Sequence, residues 1–176
     1  MHLIVRQLNV DDINAFNEHI DRHLAESGRG ENHFMPYAPS DPNRPTRLKP
    51  TDLDVPLNEC SWKRWFLAID VDENVVGHAD LKGDDLRTGL HRCELGIGVE
   101  REYREQGLGR RLLEESIAFA RTVDSIDWID LRVFSHNTVA RRLYESIGFK
   151  EVVTVFDRFR IEESQIDDVL MSLSVV

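Results

Sequence analysis

The sequence predicts a layered α/β (α+β) domain in which a mixed sheet is flanked by helices. Short apolar segments typical of strands alternate along the chain with segments whose apolar residues recur every three or four positions, as in amphipathic helices. The chain has 176 residues, of which 41% are hydrophobic and 31% charged. That length and composition favour one compact domain over residues 1–176, and no internal repeat or second domain is visible.

The individual elements follow from this periodicity and from the residues that begin or end helices and strands. A first strand is followed by a helix that begins at Asp11 or Asp12 and carries a stripe of Ile13, Phe16, Ile20 and Leu24. About seven strands and about four helices are expected in all. The predicted strands are residues 2–8, 65–71, 75–81, 92–99, 128–134, 149–159 and 166–174, and the other predicted helices are residues 107–121 and 137–147, the latter closed by Gly148.

A proline-rich insertion at about residues 28–58 interrupts this pattern. All six prolines fall between Pro36 and Pro56, and only one short helix near Asp52 is expected there. Irregular segments of this length are uncommon inside compact domains and are often lids or binding loops. A surface excursion without a role in binding is the alternative.

Composition excludes several classes of function. The net charge of −10 argues against a nucleic-acid-binding protein, because that activity depends on clustered lysine and arginine. No apolar run approaches the roughly 18 residues of a membrane span, and the N-terminus does not resemble a secretory signal. The two cysteines, Cys60 and Cys93, are too few for a Cys-based zinc site. We therefore expect a cytoplasmic protein without a metal.

A glycine-containing turn precedes the central predicted helix. The first N–H groups of a helix have no internal partner, and glycines at 107 and 109 remove side chains that would keep an anion away from them. A diphosphate is the natural occupant of such a site. The P-loop and dinucleotide glycine motifs are both absent. A tight strand-to-helix turn without a ligand is the alternative interpretation.

These residues resemble the GNAT superfamily of N-acetyltransferases. Arg104-x-x-Gly107-x-Gly109 matches the family's coenzyme A pyrophosphate signature. A second block follows at the expected place, with Asn137, Ala140, Leu143-Tyr144-Glu145 and Gly148-Phe149. The resemblance covers nearly the whole chain apart from the insertion. It implies a GNAT-type splayed sheet, with the pantetheine arm of acetyl-CoA lying between the strand that ends at Val99 and the strand that ends near Phe134.

The resemblance also implies which residues hold the coenzyme, and Asn137 can in addition cap its own helix. The coenzyme-binding residues that it implies are Ile97, Val99, Arg104, Gln106, Gly107, Leu108, Gly109, Arg110, Asn137 and Ala140. Strand alternation adds an independent expectation. Cys93, Leu95, Ile97 and Val99 share one face of their strand, whereas Arg92, Glu94, Gly96 and Gly98 share the other.

Acetyl transfer to an amine needs a base, an oxyanion donor and an acid. By its match to the family tyrosine, Tyr144 is the expected general acid, with half-buried packing as the alternative. Glu94 is the leading general base, working through a water, unless it pairs with Arg92 or Arg132. His78 and Asp80 are reserve candidates, and a backbone N–H near Val99 could stabilise the oxyanion.

The predicted function is that of an acyltransferase (EC 2.3.1) that moves an acetyl group from acetyl-CoA directly to a primary amine of a small molecule or peptide. Two alternatives stay open: a non-catalytic acyl-CoA-binding module, and a protein N-terminal or lysine acetyltransferase. A homodimer is possible, and the sequence does not identify the acceptor. Acids in and near the insertion would suit a cationic acceptor, although a solvated acidic loop is the favoured explanation of the same residues: Glu31, Asp41, Asp52, Asp54 and Glu59.

Overall fold

The elements were located in a computed structural model that describes residues 3–30, 32–37, 41 and 47–176. Glu31 and part of the insertion therefore lie outside the described residues. The strands are β1 (Ile4–Gln7), β2 (Lys63–Ile69), β3 (Val75–Gly83), β4 (Arg92–Val99), β5 (Trp128–Phe134), β6 (Lys150–Ile161) and β7 (Ser164–Ser174). The α-helices are α1 (Ile13–Glu26), α2 (Leu108–Arg121) and α3 (Thr138–Ile147).

The predicted elements are found close to their expected bounds. The described part of the chain contains three α-helices, where about four helices were expected, and four short 3-10 turns. One of these turns, Pro50–Asp52, is the short helix expected near Asp52. Gly148 closes α3 in the left-handed conformation, at a φ of 115°.

The seven strands form one mixed sheet in the order β1-β2-β3-β4-β5-β7-β6. Neighbouring strands are antiparallel except β4 and β5, which are parallel and joined through α2. A helix is the usual connection between parallel neighbours, because the chain must return to the same end of the sheet. The sequence therefore correctly predicts a mixed sheet. It does not predict the order in which the strands pair, which the structure gives.

Strands β4 and β5 separate along their length. They are paired only where residues 92–95 lie beside residues 128–131, although β4 continues to Val99 and β5 to Phe134. The strands beyond these pairs leave a gap in the middle of the sheet. This is the splay that the resemblance implies.

The two faces of the sheet differ in character. Helix α2 packs on one face with a stripe that includes Leu112, Leu113 and Ile117, which are at most 4% exposed, and this face contains most of the hydrophobic core. Helix α1 covers the ends of β3 and β4 on the other face. Its buried stripe differs from the expected one, since His19 and His23 are buried while Ile20 and Leu24 are only half-buried.

Candidate active site

The start of α2 presents unpaired main-chain donors. Gly107 adopts the left-handed conformation, with a φ of 77°, and turns the chain into the helix. Within the part of the chain that the structure describes, the N–H groups of Leu108, Gly109 and Arg110 donate to no protein acceptor. A Cβ added at Gly107 would meet nothing within 4 Å. The helix end is open, and its donors and partial positive charge suit an anionic group such as a diphosphate.

The polar side chains of this turn are engaged within the protein. Arg104 donates from Nε to the Val99 carbonyl oxygen (2.9 Å) and from Nη2 to Glu26 (2.7 Å). Gln106 donates to the Glu102 carbonyl oxygen, and the half-exposed Arg110 donates to the Ser146 hydroxyl. The contacts of Arg104 tie the end of β4 to α1. The main chain is therefore the principal donor that this turn offers a ligand.

The hydrogen-bond alternation of β4 exposes main-chain groups to the gap. The Glu100 N–H donates to the Val76 carbonyl oxygen on β3 (3.0 Å). Because main-chain groups of an antiparallel strand alternate in direction, Gly98 and Gly96 also bond towards β3. Ile97 and Val99 then direct their N–H and C=O groups away from β3, into the gap. An extended ligand with amide groups could bond to β4 there as a further strand would.

Tyr144 lies in α3, the helix that follows β5. The Asn137 side chain caps this helix by accepting a hydrogen bond from the Ala140 N–H (3.2 Å). Tyr144 is only 6% exposed and packs edge-on against Phe149. Its hydroxyl has no hydrogen-bond partner among the described residues, yet it is not one of the polar atoms sealed from solvent. Burial raises the pKa of the phenol well above its ordinary value, so the group stays protonated.

Gly109 brings the helix start, the gap and α3 together. A Cβ built at this glycine would lie 3.2 Å from the Leu143 side chain and 4.0 Å from Ile97. Leu143 directly precedes Tyr144 in α3. The glycine of the turn therefore allows α3 to approach α2 beside the end of β4.

Carboxyl groups line the opposite face of the sheet near the point where the strands separate. Glu94 is exposed, lies opposite Lys82 and Asp130, and forms no ion pair with any described residue. The two arginines that were alternative partners for it pair with aspartates elsewhere on β5 and β7. Together with neighbouring charged residues, Glu94 borders a cleft of about 250 Å³.

The Asp80 side chain extends from β3 across the neighbouring strand β4. Its Oδ1 lies 2.5 Å from where a Cβ of Gly96 would be, so the carboxyl group leans over β4 at that glycine. Desolvation by burial raises the pKa of Asp80 to about 6; the Glu94 charge adds to this, while Lys63 opposes it. Asp80 therefore titrates close to neutral pH, which suits proton transfer.

Three histidines gather above Gly98, and the sequence analysis identified only one of them. His19 and His23 of α1 join His78 of β3, with all three rings within 6 Å of one another, centroid to centroid. His19 is fully buried and His23 is 4% exposed. The spacing of Phe16, His19 and His23 at i, i+3 and i+7 places them on one helix face and was the available signal.

The first described part of the insertion covers these histidines. The Ser27 hydroxyl accepts hydrogen bonds from the N–H groups of Phe34 (3.1 Å) and Met35 (3.3 Å), and the Phe34 ring packs on His23 at 4.8 Å. His136, which follows β5, donates to the His33 carbonyl oxygen (2.7 Å). Residues 32–37 thus connect α1 to the end of β5.

Other acids of the insertion are used locally. Glu59 pairs with Arg87 at 3.0 Å, and Asp52 accepts from the Lys49 N–H. Among the residues described, no group of three or more His, Cys, Asp or Glu side chains is arranged to hold a metal ion. No helix in the described ranges is long and apolar enough to cross a membrane.

Comparisons with known proteins give a consistent result. A family model described as "Acetyltransferase (GNAT) family" matches residues 32–149. N-alpha-acetyltransferase 40 of Saccharomyces cerevisiae is 29% identical over 142 residues, which are 74% of this chain and 48% of that protein. The chain spans about half the length of the first curated relatives that it matches.

Solved structures share the fold over nearly the whole chain. A GNAT-family acetyltransferase from Streptococcus pneumoniae superposes with a TM-score of 0.81 at 23% identity, covering 98% of this chain and 99% of the other. The yncA protein of Salmonella typhimurium, solved with its cofactor acetyl-CoA, gives a TM-score of 0.76 at 16% identity and covers 100% and 95%. At these identities the likeness concerns the fold.

Proposed function

The chain belongs to the GNAT acetyltransferase family, and we propose that it transfers an acetyl group from acetyl-CoA directly to a primary amine of a small molecule or peptide. One observation carries the proposal. A Cβ built at Gly109 would lie 3.2 Å from the Leu143 side chain and 4.0 Å from that of Ile97, so the open start of α2, the end of β4 and the helix that carries Tyr144 are neighbours. A diphosphate, an extended arm and a thioester would meet these three features in turn.

The residues present fit the coenzyme. The N–H groups of Leu108, Gly109 and Arg110 would hold the diphosphate. The half-exposed guanidinium of Arg110, which lies 3.8 Å from Glu114, is also nearby. The main chain of Ile97 and Val99 would hold the amides of the arm. When bound, acetyl-CoA supplies the acetyl group as a thioester.

The side of the gap formed by α3 provides an acid. A phenol that burial keeps protonated can give its proton to a departing sulfur, and the Tyr144 hydroxyl has no competing acceptor among the described side chains. The N–H of Ile97 or Val99 can donate to the carbonyl oxygen as negative charge develops on it.

The opposite face receives the amine. A primary amine of ordinary pKa, about 10, arrives as an ammonium ion. We propose that Asp80 and Glu94 attract it. Glu94, the base predicted from the sequence, is exposed and lies where β4 and β5 are still paired, which favours this attraction over proton abstraction.

The test is a thermal-shift titration with acetyl-CoA followed by a panel of amines scored by release of free thiol. We expect saturable stabilisation, about 2.7 kcal/mol at one hundred times Kd, and thiol release with at least one amine. The panel should contain amino acids, polyamines, peptides with free N-termini, and N-blocked peptides with one lysine.

Each outcome has a clear meaning. Absence of stabilisation by acetyl-CoA would contradict the proposed function. Stabilisation without thiol release from any amine would instead support a non-catalytic acyl-CoA-binding module. Preference for peptide N-termini or for lysine would identify a protein-modifying enzyme.

A further inference from the structure

A buried chain of hydrogen bonds links His78 to a carboxylate at the protein surface. His78 Nδ1 lies 2.8 Å from His19 Nε2, and His19 Nδ1 lies 2.7 Å from Glu100 Oε1. Arg22 donates from Nε to the same oxygen of Glu100 at 3.0 Å. The three groups come from α1, β3 and the residue after β4, so tertiary packing alone brings them together.

The hydrogen bonds determine which ring nitrogens carry protons. Because an ionised carboxylate only accepts, His19 must donate to Glu100 from Nδ1. Desolvation lowers the pKa of His19, so the ring is neutral at pH 7 and its Nε2 accepts. His78 then donates from Nδ1, which leaves a lone pair on His78 Nε2.

The rings of His78 and His23 lie over β4 at Gly98. A Cβ built at Gly98 would lie 2.5 Å from His23 Nε2 and 2.6 Å from the Cε1 of His78, which is bonded to Nε2, so only a glycine fits at this position of β4. Gly98 lies between Ile97 and Val99, whose main-chain groups face the gap. Nε2 has no partner in the described chain and is not sealed from solvent.

We propose that His78 is the general base that takes the proton of the acceptor ammonium, and that His19 and Glu100 are positioning residues that hold its tautomer. This rests on the proposed function. The N–H bond of the ammonium breaks, its electron pair stays on nitrogen, and the proton bonds to His78 Nε2. Burial, together with the neighbouring His19 and His23, lowers the pKa of His78 well below its ordinary value, so the imidazolium, linked through His19 to the Glu100 carboxylate, gives the proton up readily to solvent.

The geometry favours His78 over the neighbouring carboxyl groups. His78 lies over Gly98, three residues beyond the last pair between β4 and β5. Asp80 lies over Gly96, one residue beyond that pair, and Glu94 lies where the strands are still paired. Such an arrangement, a base whose second nitrogen is hydrogen-bonded to an orienting group, is the general requirement for an activated proton acceptor.

The kinetic test compares His78→Gln with Asp80→Asn on the best amine of the panel. We expect His78→Gln to lower kcat by about 10²-fold or more, with the KM for acetyl-CoA within about threefold. Asp80→Asn should instead raise the KM for the amine and leave kcat within about threefold. The reverse pattern would identify Asp80 as the base and overturn the proposal.

The positioning role has its own readout. His19→Leu removes the acceptor for His78 Nδ1 and should lower kcat about tenfold, whereas His19→Gln, whose amide oxygen can still accept, should restore most of the rate. Equal losses in the two variants, both folded by circular dichroism, would contradict that role.

A measurement on the unaltered protein tests the inference even if the variants fail to fold. Nitrogen-15 NMR of histidine-labelled protein at pH 7 should show His78 with a proton on Nδ1 and none on Nε2. A proton on Nε2 would overturn the inference while the proposed function stands. Absence of thiol release from the unaltered chain would overturn both.

Discussion

The two faces of the sheet at β4 show how one strand can serve two different reactants. Toward α2, Cys93 and Leu95 are at most 4% exposed and continue the hydrophobic core up to the gap. On the opposite face, Gly96 and Gly98 have no side chains. Asp80 of β3 occupies the space above Gly96, and His78 of β3 and His23 of α1 occupy the space above Gly98.

On the proposed function, this difference separates donor from acceptor. The start of α2 and the main chain of β4 would hold the donor, whereas the polar face, which concentrates the titratable groups, would receive the acceptor. Since the main chain of β4 alternates in direction, Ile97 and Val99 can hold a coenzyme without using either face. Substitutions on the two sides should therefore affect different kinetic constants.

The largest expected effect tests Tyr144 as the proposed acid. Tyr144→Phe should lower kcat by about 10²–10³-fold because it removes the proton donor. Unfolding by urea should show little change in stability, since the hydroxyl has no hydrogen-bond partner among the described residues.

Tyr103→Phe is the matched control for that substitution. The Tyr103 hydroxyl donates to Asp70 Oδ2 at 3.0 Å. Its loss should cost about 1 kcal/mol of stability and leave kcat unchanged. If both variants lost stability and neither lost rate, Tyr144 would be a packing residue.

The next effect concerns the coenzyme site. Gly107→Val places a branched side chain over the open end of α2 and should raise the KM for acetyl-CoA by at least about tenfold. Left-handed backbone also disfavours valine, at a cost of about 1–2 kcal/mol in stability. Thermal-shift titration and initial rates measure the two effects separately.

Gly30→Val is the control for Gly107→Val, because it introduces the same backbone strain away from the start of α2. Gly30 has a φ of 72°, is exposed and has nothing within 4 Å of an added Cβ. It should lose similar stability and keep its affinity for acetyl-CoA. Equal affinities in both valine variants would argue against anion binding at α2.

The smallest expected effect is that of Asp80→Asn on the polar face, which should change stability and amine binding in opposite directions. Desolvation and the Glu94 charge raise the folded-state pKa of Asp80 to about 6, so its ionisation costs stability increasingly as the pH rises from about 4 to 6. Asp80→Asn should therefore stabilise the protein at pH 7.5 by about 1–2 kcal/mol, discounted for partial exposure, with the gain shrinking toward pH 4.

The same variant should bind a cationic amine more weakly. We expect the KM for the amine to rise about tenfold, because one negative charge is lost beside the gap. Urea unfolding at several pH values and steady-state rates provide the two measurements. Destabilisation at pH 7.5 would mean that the carboxylate forms a stabilising interaction.

The elements, the glycine turn and the α3 cap could all be predicted from the amino-acid sequence alone. Strand and helix periodicity, Asn137 at the start of α3 and Gly148 at its end act over a few residues, so the chain expresses them locally. The alternation of β4 was predictable for the same reason, because the strand runs without a bulge from Cys93 to Val99 opposite β3.

The hydrogen-bond partners on the polar face depend on contacts that form only in the folded protein. His19 meets His78 across 59 residues of sequence and Glu100 across 81. The residues next to each histidine in the sequence do not reveal its partner, since a histidine on its own is compatible with a packed or an exposed position. The physical reason is that a pKa and a tautomer depend on burial and on the neighbouring charge, and both arise only when α1 packs over the ends of β3 and β4.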